Sequence, residues 1–208
     1  MVGTEHDASI GNATAAAARC LERLNREGSP VRERQLQLAL VDEIDNAETE
    51  RRLHVPNWDP QPGAIDIVTR DDAGRVTSVI ETKFKAGNDI YECLWDFAKV
   101  LSLTQGDERP AGYVVVGTTC RGWAGHAANE LFSNGDHLLV EAIRRHLEWW
   151  DKYILGDSTG RPTAVPTVME ARVLAEEPLC LGGIDWELRG LRIVGSGDVA
   201  RFVDGRPQ

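Results

Sequence analysis

Hydrophobic positions follow a helical period in the first part of the chain and turn into short extended runs further on, and this change sets out the elements. From about Ala8 to Glu27 an Ala-rich run places Cys20, Leu21 and Leu24 at helical spacing. Gly28-Ser29-Pro30 interrupts it. Ser29 can cap, and Pro30 can open, a second helix that runs to about Asn46 with Leu36, Leu40 and Ile44 recurring every four residues. Three extended segments follow, about Arg51 to Val55, Ala64 to Thr69 and Val76 to Phe84, the last two joined by the hairpin sequence Asp71-Asp72-Ala73-Gly74. With Asn88-Asp89 as its cap, a third helix is marked by Ile90, Leu94, Phe97 and Leu101 and ends near Gln105-Gly106. Tyr113-Val114-Val115-Val116 is an unbroken apolar run, the pattern of a strand covered on both faces at the centre of a sheet.

Beyond this point Arg121 to Ser133 and Asp136 to Ile154 read as helices, the second with Leu139, Ile143, Leu147, Trp150 and Ile154 on one stripe. Two strand-like segments, about Thr167 to Leu174 and Leu188 to Val194, are separated by Glu177-Pro178 and Gly182-Gly183 and are expected to extend or cover a sheet edge. Gly195 to Gln208 is polar and expected to fray. The predicted architecture is one α/β domain over residues 1–208. Its core, residues 29–119, runs α-β-β-β-α-β as a mixed sheet flanked by helices; an N-terminal helix (1–28) and a helical and β elaboration (120–208) surround it.

Composition narrows the function. The 208 residues carry 23 Lys+Arg against 33 Asp+Glu, a formal charge of −10, so the surface as a whole repels phosphate and anionic lipid. A dispersed nucleic-acid coat is excluded; a local basic groove, or a metal site whose carboxylates add to the acidic excess, is not. No stretch approaches the roughly 18 to 20 apolar residues that span a bilayer, and Met1 to Asp7 lacks a basic segment leading into an apolar one. The expectation is a cytoplasmic protein with no membrane partner. Cys20, Cys93, Cys120 and Cys180 lie far apart without zinc spacing and read as reduced thiols.

The chemistry concentrates in Gly63-Ala64-Ile65-Asp66-Ile67-Val68 and, across the hairpin, Val79-Ile80-Glu81-Thr82-Lys83-Phe84. A strand alternates faces, so Glu81 and Lys83 share one face while Ile80, Thr82 and Phe84 share the other. Asp66 stands on the neighbouring strand in an otherwise apolar segment, where a solvated loop acid is not expected. Two carboxylates on adjacent strands can hold a hard divalent cation such as Mg²⁺, with Mn²⁺ as a substitute. An ammonium two residues beyond Glu81 can orient a water or help deprotonate it, and can offset the charge that builds on a phosphodiester.

An Asp, a hairpin-length gap and Glu-x-Lys, here Asp66 and Glu81-Thr82-Lys83, together with the α-β-β-β-α-β order of residues 29–119, resemble the PD-(D/E)XK nuclease superfamily of restriction-endonuclease-like fold. The resemblance implies metal-dependent cleavage of DNA, less often RNA, with Asp66, Glu81 and the Thr82 carbonyl on the metal and Lys83 on the water and scissile phosphate. It also implies an acid on the helix before the meander, carried onto Glu33. Gln37, one turn on, would contact that acid or a water, and Lys99 on the third helix would line the substrate groove. Ile65 stands where the family pattern has proline. A single site cuts one strand, so cutting both strands would call for a homodimer.

Other readings compete. Asp66, Glu81 and Lys83 can equally form an ion-pair cluster closing the hairpin, and Glu33 can simply complement a helix dipole. The non-catalytic alternative is a nuclease-fold interaction module that binds nucleic acid or, given the acidic surface, a protein partner. Cys120 at a strand end before a helix, with His126 nearby, suggests an activated thiol. Arg144, Arg145 and Lys152 interleave with Trp149, Trp150 and Tyr153, a pattern of either a stacking platform or an amphipathic helix with Trp150 inward.

Overall fold

The computed structural model describes residues 3–59, 61, 64–86, 92–105, 109–124, 127–154 and 160–208; for 3, 4, 127–129, 149 and 152–154 it describes the backbone alone. The elements in chain order are α1 (Gly3–Arg26), α2 (Glu33–Val41), β1 (Ala47–Arg51), β2 (Ile65–Arg70), β3 (Val76–Phe84), α3 (Cys93–Leu103) and β4 (Ala111–Thr119). They continue with α4 (Cys120–Ala124), a 3₁₀ turn (Ala127–Phe132), β5 (Gly135–His137), α5 (Leu139–Arg145), α6 (Leu147–Ile154), β6 (Ala164–Leu181), β7 (Ile184–Val203) and β8 (Arg206–Pro207). Among the described residues no helix is long and apolar enough to cross a membrane.

The strands form one open mixed sheet in the order β1-β2-β3-β4-β7-β6-β5, with β8 beside β7. Every pairing is antiparallel except β3 with β4, whose parallel register runs from Ser78↔Ala111 to Phe84↔Gly117. A parallel pair needs a crossover, and α3 supplies it. As the unbroken apolar run predicts, β4 lies between β3 and β7, and Tyr113, Val114, Val115 and Val116 are fully buried. The sheet separates two cores. One holds Ile65, Val68, Val79, Val114 and Val116 against α3 and α5, with Trp150 from α6. The other holds Ile67, Ile80, Phe84, Tyr113 and Val115 against α1 and α2.

Several sequence expectations are corrected. Helix α2 stops at Val41, short of Asn46, because acids crowd its carboxyl end, where the dipole disfavours them, and Asn46 turns the chain at φ 55°. The first strand accordingly begins at Ala47 and covers 47–51, not 51–55. It is a polar edge strand, Ala-Glu-Thr-Glu-Arg, whose Glu48 pairs with Arg51 at 2.9 Å and Arg70 at 3.4 Å, so it carries no apolar alternation to read. The two predicted helices of 121–154 are divided: Gly135 at φ 133° opens β5, which pairs with β6, and His146 separates α5 from α6. The expected cap Asn88-Asp89 and Ile90 lie outside the described residues.

The C-terminal strands extend the sheet and are far longer than expected. β6 and β7 pair along most of their length around Gly182 (φ 61°) and Gly183 (φ 78°), a two-residue turn of the type that needs two positive φ values. Glu177 and Pro178, which read as breakers in the sequence, pair in regular register with Leu188 and Glu187, and the register shifts fall elsewhere, at Pro166/Val168 and Val173/Ala175. The terminus does not fray: Phe202 is buried, Trp150 Nε1 donates to the Gly205 carbonyl at 2.6 Å, and Arg144 donates to the Gln208 carbonyl at 2.6 Å.

Gly117, the β4 partner of Phe84, marks how closely the second core is packed at the end of β3. The Phe84 ring stacks on Trp186 with centroids 4.7 Å apart, and a Cβ at Gly117 would overlap that ring and stand 3.0 Å from Leu188 Cδ1. Gly117→Ala is therefore expected to destabilise the fold by about 1–3 kcal/mol, read as a lower urea midpoint with an unchanged m value; an unshifted midpoint would contradict this packing.

Candidate active site at the open end of the sheet

Strand β3 presents its side chains as alternation requires: Val79, Glu81 and Lys83 face α3, while Ile80, Thr82 and Phe84 face α1 and α2. The β2–β3 ladder begins at Ile67↔Ile80, so Asp66 and Glu81 stand just past it, where the two strands no longer exchange backbone hydrogen bonds. The Asp66 carboxylate fills that place. Its Oδ2 accepts from the Thr82 backbone N–H and from the Thr82 hydroxyl, both at 2.8 Å. Gln37 Nε2 on α2 donates to the same hydroxyl at 3.3 Å, so Gln37, Thr82 and Asp66 form one chain of donors across the sheet. Gln37, expected to contact Glu33 or a water, instead contacts Thr82, which orients Asp66.

Glu33 opens α2 as its first helical residue and accepts the Phe84 backbone N–H at 3.1 Å through Oε2. The same oxygen lies 3.7 Å from Lys83 Nζ. The Lys83 ammonium is ringed by acids, with Glu92 at 3.8 Å and Asp96 at 3.9 Å, and Lys85 Nζ meets Glu92 at 2.7 Å. Burial alone would lower the Lys83 pKa, but the charges of Asp96, Glu33 and Glu92 outweigh it and hold the ammonium above the ordinary lysine value. The acids around Lys83 thus favour its ammonium form, which is suited to orienting a water or offsetting phosphate charge.

Helix α3 supplies the other side. All of its residues from Cys93 to Leu103 are buried, so its charged members must find partners inside. Lys99, expected on the wall of a substrate groove, is 8% exposed, and its Nζ lies 2.6 Å from Glu81 Oε1, itself on a residue 2% exposed. The contact is an ion pair off the line of an aligned hydrogen bond, so Glu81 Oε1 keeps no directed donor, and neither does Asp96 Oδ2. Burial pushes the Glu81 carboxyl up, opposed by Lys99 and reinforced by Asp66 and Asp96; the Lys99 ammonium is held up by Glu81 and Asp96 against its own burial.

Glu33, Asp66, Glu81, Glu92 and Asp96 thus face Lys83, Lys85 and Lys99, and carboxylates remain in excess. Two buried carboxylate oxygens without a directed donor are the hard ligands that Mg²⁺ takes. In this arrangement no three His, Cys, Asp or Glu side chains among the described residues converge on one ion, and ammonium groups stand beside Glu33 and Glu81. Asp96 and Glu92 are members that the sequence analysis does not single out. Their signal was present: charges at i, i+4 and i+7, with Lys99, on a helix otherwise filled by Leu94, Trp95, Phe97 and Leu101.

The remaining candidates separate from this site. Cys120 begins α4, but burial and the acids Glu187 and Asp185 raise its thiol, the opposite of an activated nucleophile, and His126 lies outside the described residues. Trp150 is buried, as the amphipathic-helix reading expects. Arg144 pairs with Glu141 and Arg145 with Glu130 at 2.6 Å, while the side chains of Trp149, Lys152 and Tyr153 lie outside the description.

Burial and the neighbouring acids raise the Asp96 carboxyl to about 6, against the attraction of Lys83 and Lys99. Folding then favours its protonated form, a stabilisation fully present below the ordinary value of 3.8 and lost as pH rises through about 6. Asp96→Asn cannot ionise, so its stability relative to wild type is expected to climb by on the order of 1–3 kcal/mol between about pH 4 and pH 7. Urea unfolding of both proteins across that range checks it; parallel pH profiles would contradict it. Comparison with known proteins finds no matching family model, no matching curated protein and no matching solved structure.

Proposed function

We propose that this chain is a divalent-metal-dependent nuclease that hydrolyses phosphodiester bonds, in DNA rather than RNA, on a restriction-endonuclease-like core. The observation that supports the reading best is the placement, at the open end of the β2–β3 ladder, of Asp66 beside Thr82 with Glu81 and Lys83 flanking it on the same strand. The order α2-β1-β2-β3-α3-β4, with β3 and β4 parallel, supports it. Asp66, Glu81 and the Thr82 carbonyl would hold Mg²⁺ or Mn²⁺, which supplies Lewis acidity and charge neutralisation when bound.

The chain's own residues do the rest. The Gln37-Thr82 hydroxyl chain holds the Asp66 carboxylate in one orientation. Glu33 and Glu92 fix the Lys83 ammonium from two sides, so that it donates to the attacking water or the non-bridging phosphate oxygen and offsets charge in the transition state. Glu33 therefore acts through Lys83 and the Phe84 backbone, as a positioning residue. A chain of net charge −10 repels DNA at a distance, and the acidic site becomes attractive to phosphate only with its cation in place.

A second reading is favoured by one contact: Lys99 already neutralises Glu81 at 2.6 Å, as in a nuclease-fold module that binds a partner without cutting. Incubation with linear, circular and single-stranded DNA and with RNA discriminates the two. The wild type is expected to cut DNA with Mg²⁺ or Mn²⁺ and not with a chelator, while Lys83→Ala and Glu81→Gln, checked for folding by circular dichroism, are expected to lose about 100-fold or more in rate. A folded wild type that neither cuts nor binds metal would transfer the reading to the interaction module.

A further inference from the structure

We infer that Lys99 is a built-in counter-ion that holds the place of the divalent cation, so that the Lys99–Glu81 pair and cation binding at Asp66 and Glu81 exclude one another. The inference rests on the nuclease reading of the site and adds its regulation: a resting state in which the protein's own ammonium closes the metal centre.

The geometry points to this in three ways. Lys99 Nζ is 2.6 Å from Glu81 Oε1, with the two side chains 9% and 3% exposed, so the pair is sealed from water. Asp66 and Asp96 are the other acids whose charges act on Lys99, and Asp96 lies one helical turn before it on α3. The ammonium therefore contacts the Glu81 carboxylate of β3 and lies within the field of Asp66 on β2 and Asp96 on α3. Finally, the acids are poorly satisfied: Glu81 Oε1 meets Lys99 without hydrogen-bond alignment, and Asp96 Oδ2, 3.9 Å from Lys83 Nζ, is buried without a hydrogen-bond donor. A monovalent group with three donors in fixed tetrahedral directions leaves this acidic centre undercharged, whereas a divalent ion takes oxygen ligands from several directions.

Lys83 is not the displaceable group. Glu33, Glu92 and Asp96 hold it at 3.7, 3.8 and 3.9 Å, and none of the three is the β3 acid Glu81. Among the described residues Lys99 has one ion pair, with Glu81, and its flexible four-carbon stem can withdraw its head when a stronger cation takes Glu81. One lysine is thereby kept for the phosphate and the other for the empty state of the acids.

The test compares the intact chain with Lys99→Met and Lys99→Arg, using Mn²⁺ as the probe, by calorimetric titration and by thermal unfolding with and without the ion. Lys99→Met is expected to bind Mn²⁺ at least about tenfold more tightly than wild type and to show a larger Mn²⁺-induced rise in Tm. Lys99→Arg, whose guanidinium grips a carboxylate with two donors, is expected to bind Mn²⁺ more weakly than wild type. Should Lys99→Met unfold without the ion, recovery of its native circular dichroism on Mn²⁺ addition supports the inference, and failure to recover overturns it. Equal or weaker Mn²⁺ binding by Lys99→Met overturns it as well. DNA cutting measured alongside keeps the two ideas apart. Cutting by wild type with unchanged Mn²⁺ affinity in Lys99→Met leaves the nuclease reading standing and removes the counter-ion. Tighter Mn²⁺ binding by Lys99→Met, with no cutting by any variant, supports the counter-ion and removes the nuclease reading.

Discussion

A charge taken out of water must be met by another charge, and in this protein that requirement is concentrated where Glu81 and Lys99 meet. Glu81 sits on β3, next to the most buried strand of the sheet, and among the described residues its charge is met by Lys99 on the helix that crosses from β3 to β4. That helix is therefore fixed in rotation as well as position. Its apolar residues Leu94, Phe97 and Leu101 fill one core, and its charged residues turn toward the carboxylates of β2 and β3. Shifting α3 by one residue would strand buried charge on both sides.

From this pair the rest of the cluster follows. Asp66 caps the point where β2 leaves β3, Thr82 carries that cap through to Gln37 on the opposite face, and Glu33 ties α2 to the end of β3 through the Phe84 amide. Elements from both layers thus meet at one end of the sheet, held by directed polar contacts beside the apolar packing of Phe84. Such a region costs stability, since each ionised group there has lost hydration. Proteins commonly retain that cost where chemistry is done.

The sequence is informative where structure is local. Alternation in Val79 to Phe84 places Glu81 and Lys83 on one face, and the unbroken run Tyr113 to Val116 marks a strand covered on both sides; the structure has both. Asp66 is legible because an acid stands among Ile65, Ile67 and Val68. What depends on tertiary neighbours is not legible. Lys99 reads as a surface cation until the crossover is seen to be buried all round, and Asp96 reads as a polar stripe until Lys83 is beside it. The polar strand β1 escapes notice because an edge strand needs no apolar face, and the length of β6 and β7 is hidden by prolines and glycines that a bulged hairpin tolerates.

The position of β7 carries a consequence for the order in which the molecule is assembled. Strand β4 takes one neighbour, β3, from the chain just before it, but its other neighbour is β7, in a pairing that joins Gly112 to Ile193 and Thr119 to Trp186. During synthesis the apolar edge of Tyr113 to Val116 has no partner until the closing hairpin has been made, so the central sheet is completed late and through contacts distant in sequence. Until then that edge can pair with another chain, which makes the interval before β7 docks the point at which a nascent molecule is most exposed to aggregation and most in need of a chaperone.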